Sequence, residues 1–296
     1  MTEHPSSATV PSNASRRHFV GLAGLTAAAV FGTNRLTGSA QPAVNDFDIL
    51  NFALNLEYLE AEYYLRAAFG RGLAAADVTG TGTLGQVTGG TRVPFASSAI
   101  QQYAYEIAKD EENHVKFLRA AITARGGAPV ARPTINLQES FAAAAAAAGL
   151  PSGFNPYADE KSFLLGAFIF EDVGVTGYKG AAPLLVNKDI LEAAAGLLAV
   201  ESYHASEIRT VLFARGLTSE TQAISDLRDL VDGPDANGLD ADLDQGLVLN
   251  GNANIVPTDA NGLVFSRTTR QVLNIVYLGG TTAGGFFPDG LNGTIR

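Results

Sequence analysis

The chain has 296 residues, of which 46% are hydrophobic and 17% are charged, a balance that is typical of a globular core and excludes a disordered chain. Its formal net charge of −10 argues against two polyanionic partners, nucleic acid and an anionic membrane surface. Cysteine is absent, which excludes disulfides, thiolate zinc sites and iron–sulfur clusters and leaves carboxylates and imidazoles as metal ligands.

Residues 1–40 have the three parts of an export signal. Arg16 and Arg17 precede an apolar run over residues 20–31, and small residues follow at positions 38–40. The paired arginines favour the twin-arginine type, which carries folded proteins, and predict a periplasmic, cell-envelope or extracellular protein. The alternative is an uncleaved N-terminal anchor, although the run is short for a bilayer. The mature chain is expected to have no membrane span.

The first predicted helix covers residues 43–70 and carries a glutamate in an apolar seam. Two seams shifted by one position compete, and they place either Glu57 or Glu60 in the core. Glu57 is the first choice and Glu60 the second, whereas Glu62 is the most easily placed on the surface. The seam through Glu57 consists of Leu50, Leu54, Glu57, Ala61 and Tyr64.

Residues 71–94 are rich in glycine and threonine and predict a loop or, at most, a small hairpin. Helical periodicity returns over residues 100–122 and places Glu111 and His114 within the apolar stripe. Burial of an unpaired carboxylate is costly, so a neutralising partner is required. A metal ion satisfies this requirement.

Residues 127–156 contain four prolines and the alanine run 142–148, which predicts a long crossover with a short outer helix. The third bundle helix is predicted over residues 159–179. Its Glu171 lies between apolar segments, and Asp172 points about 100° away, where it is expected to bond a metal-bound histidine.

The fourth helix is predicted over residues 188–215, with Glu201 and His204 in its apolar stripe. Residues 216–296 are predicted to form an extension that packs on the bundle. This extension is expected to be mostly irregular, with helices near 219–231 and 267–278.

The sequence Glu-x-x-His therefore occurs in two bundle helices, at Glu111–His114 and at Glu201–His204. This spacing places the carboxylate and the imidazole one turn apart on the same face. Two such pairs, each accompanied by a glutamate from another helix, predict a two-metal carboxylate site inside an all-α four-helix bundle. Carboxylate and imidazole ligands suit iron or manganese. The predicted ligands are Glu57, Glu111, His114, Glu171, Glu201 and His204.

The segments Asp48–Tyr64 (DILNFALNLEYLEAEYY) and Val173–Ala181 (VGVTGYKGA) resemble the ferritin-like, desiccation-related proteins. The resemblance covers about residues 45–215, and residues 271–277 are also similar. It implies a ferritin-like bundle whose acids and histidines hold two iron or manganese ions, with the six ligands named above. In that arrangement Glu111 and Glu201 are the glutamates that can bridge the two metals.

Three functions are compatible with these expectations. The first is a redox enzyme that uses peroxide or dioxygen, catalase-like or ferroxidase-like, in defence against oxidative stress. The second is iron sequestration, which we rank lower because a compact storage subunit would not need the extension. The third is a non-catalytic protein that protects against desiccation, with structural metals. The expected partners are metal ions and a small oxidant, and a homo-oligomer is compatible with all three functions.

Overall fold

The structure is a computed structural model that describes residues 44–234 and 243–296. The predicted export signal lies outside the described residues. The described part is mainly helical, and the predicted all-α class is confirmed. Its helices are α1 (Asp46–Phe69), α2 (Ser98–Ala124), α3 (Glu139–Ala147), α4 (Glu160–Ala181), α5 (Lys188–Ala214), α6 (Thr218–Asp232) and α7 (Thr269–Val276). None of the described helices is long and apolar enough to cross a membrane.

The four long helices begin at residues that can accept bonds from free backbone N–H groups. Asn45 and Asp48 form a capping box at the start of α1, and Gly70 ends this helix with a φ of 70°. The side chains of Ser97, Asp159 and Asn187 accept hydrogen bonds from backbone N–H groups in the first turns of α2, α4 and α5. These caps favour the observed start of each helix.

The four long helices pack as two pairs, α1 against α2 and α4 against α5. This pairing is expected from chain order, because short and medium connections join helices that are neighbours in space. The crossover from α2 to α4 carries α3, whose Phe141 is fully buried against Phe170 of α4.

The segment between α1 and α2 is mostly loop, as predicted, and it does not form a local hairpin. Its strand β1 (Val87–Thr88) instead pairs in parallel with β2 (Ile135–Asn136) of the crossover. These two segments are nearly 50 residues apart in sequence, so no local pattern predicts that they pair. The loop is consequently tied to the crossover.

The C-terminal extension packs onto the bundle through α6, α7 and the chain end. Its irregular part contains a short antiparallel hairpin of two-residue strands, β3 (Val248–Leu249) and β4 (Asn252–Ala253). Phe286 is fully buried and contacts Phe170, so the glycine-rich end contributes to the core. This packing of Phe286 depends on tertiary contacts with α4 and not on a local sequence pattern.

Buried arginines and aspartates join the extension to α4 and α5. Asp172 accepts hydrogen bonds from Arg209 at 2.7 Å and from Arg228 at 3.1 Å. Arg228 also contacts Asp244, which accepts a bond of 2.7 Å from Arg267. The three arginines are at most 2% exposed, so each charge depends on its partners for compensation.

Candidate metal centre

The side chains predicted as ligands converge in the interior of the bundle. All are buried, with exposures between 0% and 6%. Their ligand atoms form two groups, each with all atoms within 4.8 Å of one another. The first group contains Glu57, Glu111, His114 and Glu201, and the second contains Glu111, Glu171 and His204. Glu111 belongs to both, so its carboxylate lies between two candidate metal positions.

The first group is centred on the imidazole of His114. Its Nδ1 lies 3.2 Å from Glu57 Oε2, 3.4 Å from Glu111 Oε2 and 3.4 Å from Glu201 Oε1. Three helices contribute these atoms: α1, α2 and α5. The Glu-x-x-His spacing in α2 brings Glu111 and His114 to the same face, as the sequence predicts.

The second group is centred on His204 of α5. Its Nδ1 lies 3.1 Å from Glu111 Oε1 and 3.7 Å from Glu171 Oε2. Its other ring nitrogen, Nε2, lies 3.2 Å from Asp110 Oδ2. Because an ionised carboxylate only accepts hydrogen bonds, Nε2 is the nitrogen that keeps its proton when this imidazole becomes neutral, as metal binding requires. The lone pair of Nδ1 is then directed at the cluster.

Several of these buried atoms have no hydrogen-bond partner. They are both carboxylate oxygens of Glu111, both of Glu201, Glu171 Oε2 and His204 Nδ1. The Glu111 oxygens lie 3.4 Å from His114 Nδ1 and 3.1 Å from His204 Nδ1, which are ion-pair contacts and not hydrogen bonds. Buried acceptors without partners cost free energy, and the cost is removed when a cation accepts their lone pairs.

The spacing of the donor atoms also suits a shared ion. Two ligand atoms bonded to one ion at about 2.1 Å and at right angles are about 3 Å apart. Several of the contacts of the two histidines lie close to this separation, at 3.1–3.4 Å. The residues present therefore fit metal binding, with imidazole and carboxylate ligands of the kind that iron and manganese accept.

Two tyrosines fix the orientation of the carboxylates that come from α1 and α4. The hydroxyl of Tyr178 donates to Glu57 Oε1, and that of Tyr64 donates to Glu171 Oε1. In each case the second oxygen, Oε2, remains directed at a histidine. Hydrogen bonds of this kind position metal ligands and tune their basicity.

Gly174 of α4 leaves the space that the carboxylates occupy. A Cβ atom at this position would lie 2.7 Å from Glu201 Oε2 and 3.5 Å from Glu60 Oε1. Glu60 is buried, at 6% exposure, but belongs to neither group of ligand atoms. The structure thus brings the first choice, Glu57, into the cluster and leaves the second choice beside it.

Burial and mutual repulsion shift the protonation of this cluster. Burial is the main cause that raises the pKa of Glu57 to about 8, and it also raises the pKa values of Glu171 and Glu201. Burial alone would lower the pKa of His114 and of His204, but the surrounding carboxylates raise both. Without a cation the cluster retains protons, and metal binding has to displace them.

The prediction for Asp172 is wrong, because this carboxylate pairs with Arg209 and Arg228 instead of a histidine. The histidine partner is Asp110, which sequence reasoning missed because its side chain is 39% exposed and looks like a surface residue. Tyr178 was also missed as the partner of Glu57. It follows Glu171 by seven residues, which is two helical turns, so its position on the same face could have been recognised.

Glu62 is fully buried, against the expectation of a surface position. It pairs with Arg66 at 3.0 Å and contacts Arg132 of the crossover. Its charge is therefore compensated by arginines, and it takes no part in the metal cluster.

Comparison with known proteins gives one family match and two relatives at the level of sequence. The profile of the family described as "Ferritin-like domain" matches residues 45–214. The "Ferritin-like catalase Nec2" of Nesocodon mauritianus is 31% identical over 274 residues, covering 84% of each chain. The "Desiccation-related protein PCC13-62" of Craterostigma plantagineum is 33% identical over 249 residues, covering 77% of this chain and 76% of the relative. No solved structure gives a significant match.

Proposed function

Because the chain belongs to the ferritin-like family, we propose that it holds two iron or manganese ions in the buried cluster and disproportionates peroxide into dioxygen and water. We also propose that the protein is exported and limits oxidative damage, including damage during desiccation. A single observation carries it. The Glu111 carboxylate is shared by two groups of buried ligand atoms, and both of its oxygens lack hydrogen-bond partners.

The residues that would hold the ions divide between the two groups. Glu57, His114 and Glu201 would hold one ion, and Glu171 and His204 would hold the other, with Glu111 in contact with both. When bound, such a pair supplies reversible one-electron steps and open positions for a small oxidant. A single structural ion would not require two groups with a shared carboxylate.

The side chains around the cluster have three tasks in this function. Asp110 holds the proton on Nε2 of His204 and keeps Nδ1 free as a ligand. Tyr64 and Tyr178 hold two carboxylates in place and keep two hydroxyl protons inside the cluster. The apolar core around them excludes bulk water, which strengthens each electrostatic contact.

Peroxide disproportionation is preferred to iron oxidation and storage because one relative is named a ferritin-like catalase. The fold and the ligand types are compatible with either activity. Disproportionation also needs no additional reductant, since one peroxide molecule is oxidised to dioxygen while another is reduced to water. This suits a protein outside the cytoplasm.

The experiment that tests the proposal combines elemental analysis with oxygen evolution from hydrogen peroxide. We expect about two iron or manganese ions per chain and metal-dependent oxygen release. His204→Ala should remove at least half of the metal and most of the oxygen release. Tyr203→Ala is the matched control, because Tyr203 is adjacent on α5 but 78% exposed and should leave both readouts unchanged.

Three results would contradict the proposal: no metal after reconstitution with iron or manganese, unchanged metal content in His204→Ala, or bound metal without turnover. The third result would favour the other candidate, a non-catalytic protein that protects against desiccation, which the name of the second relative supports. Fractionation of the producing cells and determination of the mature N-terminus would test export separately.

A further inference from the structure

A cavity of about 470 Å³ is lined by residues of both helix pairs and lies near the candidate metal centre. It is bounded by α1, α2, α4, α5 and α7, and almost all of its lining side chains are aliphatic or aromatic. Its volume is within the range of about 300–1,000 Å³ that is usual for small-molecule sites. The lining includes exposed residues, such as Phe117 of α2, and fully buried ones, such as Phe286.

Glu60 is the carboxylate in the buried part of this cavity. It is only 6% exposed, and no hydrogen bond to it is formed by the residues that the structure describes. Its Oε1 lies beside Gly174, the glycine that also accommodates Glu201 of the metal centre. The hydroxyl of Tyr178, which lines the same cavity, donates to Glu57 of the centre. The cavity and the metal centre therefore share a wall.

We propose that this cavity binds a neutral, mainly apolar organic molecule whose single hydroxyl-type head group hydrogen-bonds to Glu60 next to the metal centre. The apolar walls match the body of such a molecule, and the buried Glu60 supplies the partner for its head. Small-molecule pockets are usually mostly apolar, with a few polar groups that fix the orientation of the ligand.

The charge and the length of the cavity narrow the ligand class. Glu60 and Glu201 both reach the space beside Gly174, so a carboxylate head group here would need an additional proton or cation, whereas a hydroxyl group needs neither. Along α1 the lining extends from Ile49 to Glu60, a distance of about 16 Å at a rise of about 1.5 Å per residue. This length suits a medium-chain alcohol better than a small polar metabolite.

The proposal concerns binding and does not depend on catalase activity, so it can be tested directly on the full chain. The probe is N-phenyl-1-naphthylamine, a neutral dye whose fluorescence rises in apolar sites, and the competitors are 1-octanol and octanoate. We expect saturable binding of the dye, displacement by 1-octanol, and displacement by octanoate at least tenfold weaker.

Two alanines of α5, two residues apart, provide matched variants. Ala193 lines the cavity, whereas Ala195 is exposed and does not. Ala193→Phe should weaken dye binding at least tenfold, and Ala195→Phe should leave it within twofold. Ala121→Phe fills the cavity from α2 and serves as a second variant if Ala193→Phe fails to fold. Glu60→Leu should remove the preference for 1-octanol over octanoate.

Three results would overturn the proposal. Equal dye binding by the two α5 variants would show that the dye binds elsewhere. Equal displacement by 1-octanol and octanoate would remove the assignment of the head group. Absence of dye binding, together with a native dimer that Ala193→Phe dissociates in analytical ultracentrifugation, would show that a second copy of the chain covers this face.

Discussion

Gly174→Ala is expected to affect metal binding at the candidate centre more strongly than it affects the stability of the bundle. An alanine is normally preferred to glycine within a helix by about 1 kcal/mol. At this position, however, the added Cβ would lie 2.7 Å from Glu201 Oε2 and 3.4 Å from Glu201 Cδ. The contact with the oxygen is well inside the van der Waals distance, so the carboxylate of Glu201 has to move.

The size of the effect follows from two opposing terms. Crowding of a packed interior costs about 1–3 kcal/mol, which offsets or exceeds the gain in helix propensity. We therefore expect the metal-free protein to lose between about 0 and 2 kcal/mol of unfolding free energy. Metal binding should suffer more, because displacement of a ligand is expected to lower affinity about 10–100-fold, as disturbed supporting contacts do in other metal sites.

The assay is calorimetric titration of the metal-free protein with Mn²⁺ or Fe²⁺, followed by thermal unfolding of each metal-free variant. Gly196→Ala is the control, because Gly196 lies within α5 and no atom is found within 4 Å of its added Cβ. This control should bind metal normally and gain about 0.5–1 kcal/mol of stability. If Gly174→Ala binds both ions with wild-type affinity, Gly174 is not required to accommodate Glu201, and the placement of the centre is wrong.

Two further predictions concern the arginine cluster and the tyrosine partners. Burial alone would raise the pKa of Asp244, but Arg228 and Arg267 lower it below its ordinary value of 3.8, so its ionised form stabilises the fold. That contribution is complete above about pH 4 and disappears as the pH falls through the lower folded-state pKa, so the melting temperature should drop below about pH 4. Asp244→Asn should show less of this pH dependence and lose about 3–5 kcal/mol at pH 7 in chemical denaturation, because it leaves buried arginines uncompensated; unchanged stability at pH 7 would contradict this reasoning. Tyr178→Phe removes the donor to Glu57 and should lower metal affinity about 10–100-fold in the same titration. The exposed Tyr203→Phe is its control, and equal affinity of the two variants would show that the hydroxyl does not position Glu57.

The helices and the convergence of the predicted ligands could be anticipated because both depend on periodicity. Glu111, His114, Glu201 and His204 lie in apolar stripes whose spacing is set by the helix itself. Periodicity could not separate Glu57 from Glu60, because α1 is buried on nearly every side and both glutamates are inside. Only the position of α4, with Gly174 facing Glu60 and Tyr178 facing Glu57, distinguishes them.

The partners of single polar groups were not predictable in the same way. Asp172 bonds to arginines 37 and 56 residues further along the chain, and no local pattern connects them. The same holds for Phe286, which lies at the end of a glycine-rich segment and still packs in the core. Such contacts are set by the tertiary arrangement of the extension, which has little periodicity.

The arginine cluster has a consequence for shortened forms of this protein. Asp172, which accepts from Arg209 and Arg228, is the immediate neighbour of Glu171 in α4. A truncation after the fourth bundle helix would remove Arg228 and the carbonyl groups of the extension that accept from Arg209. The ion pair of Asp172 with Arg209 would then lose most of its other partners, one residue from the candidate ligand Glu171. It would also remove Phe286 from the cavity wall. We therefore expect the four-helix bundle without its C-terminal extension to be less stable than the full chain.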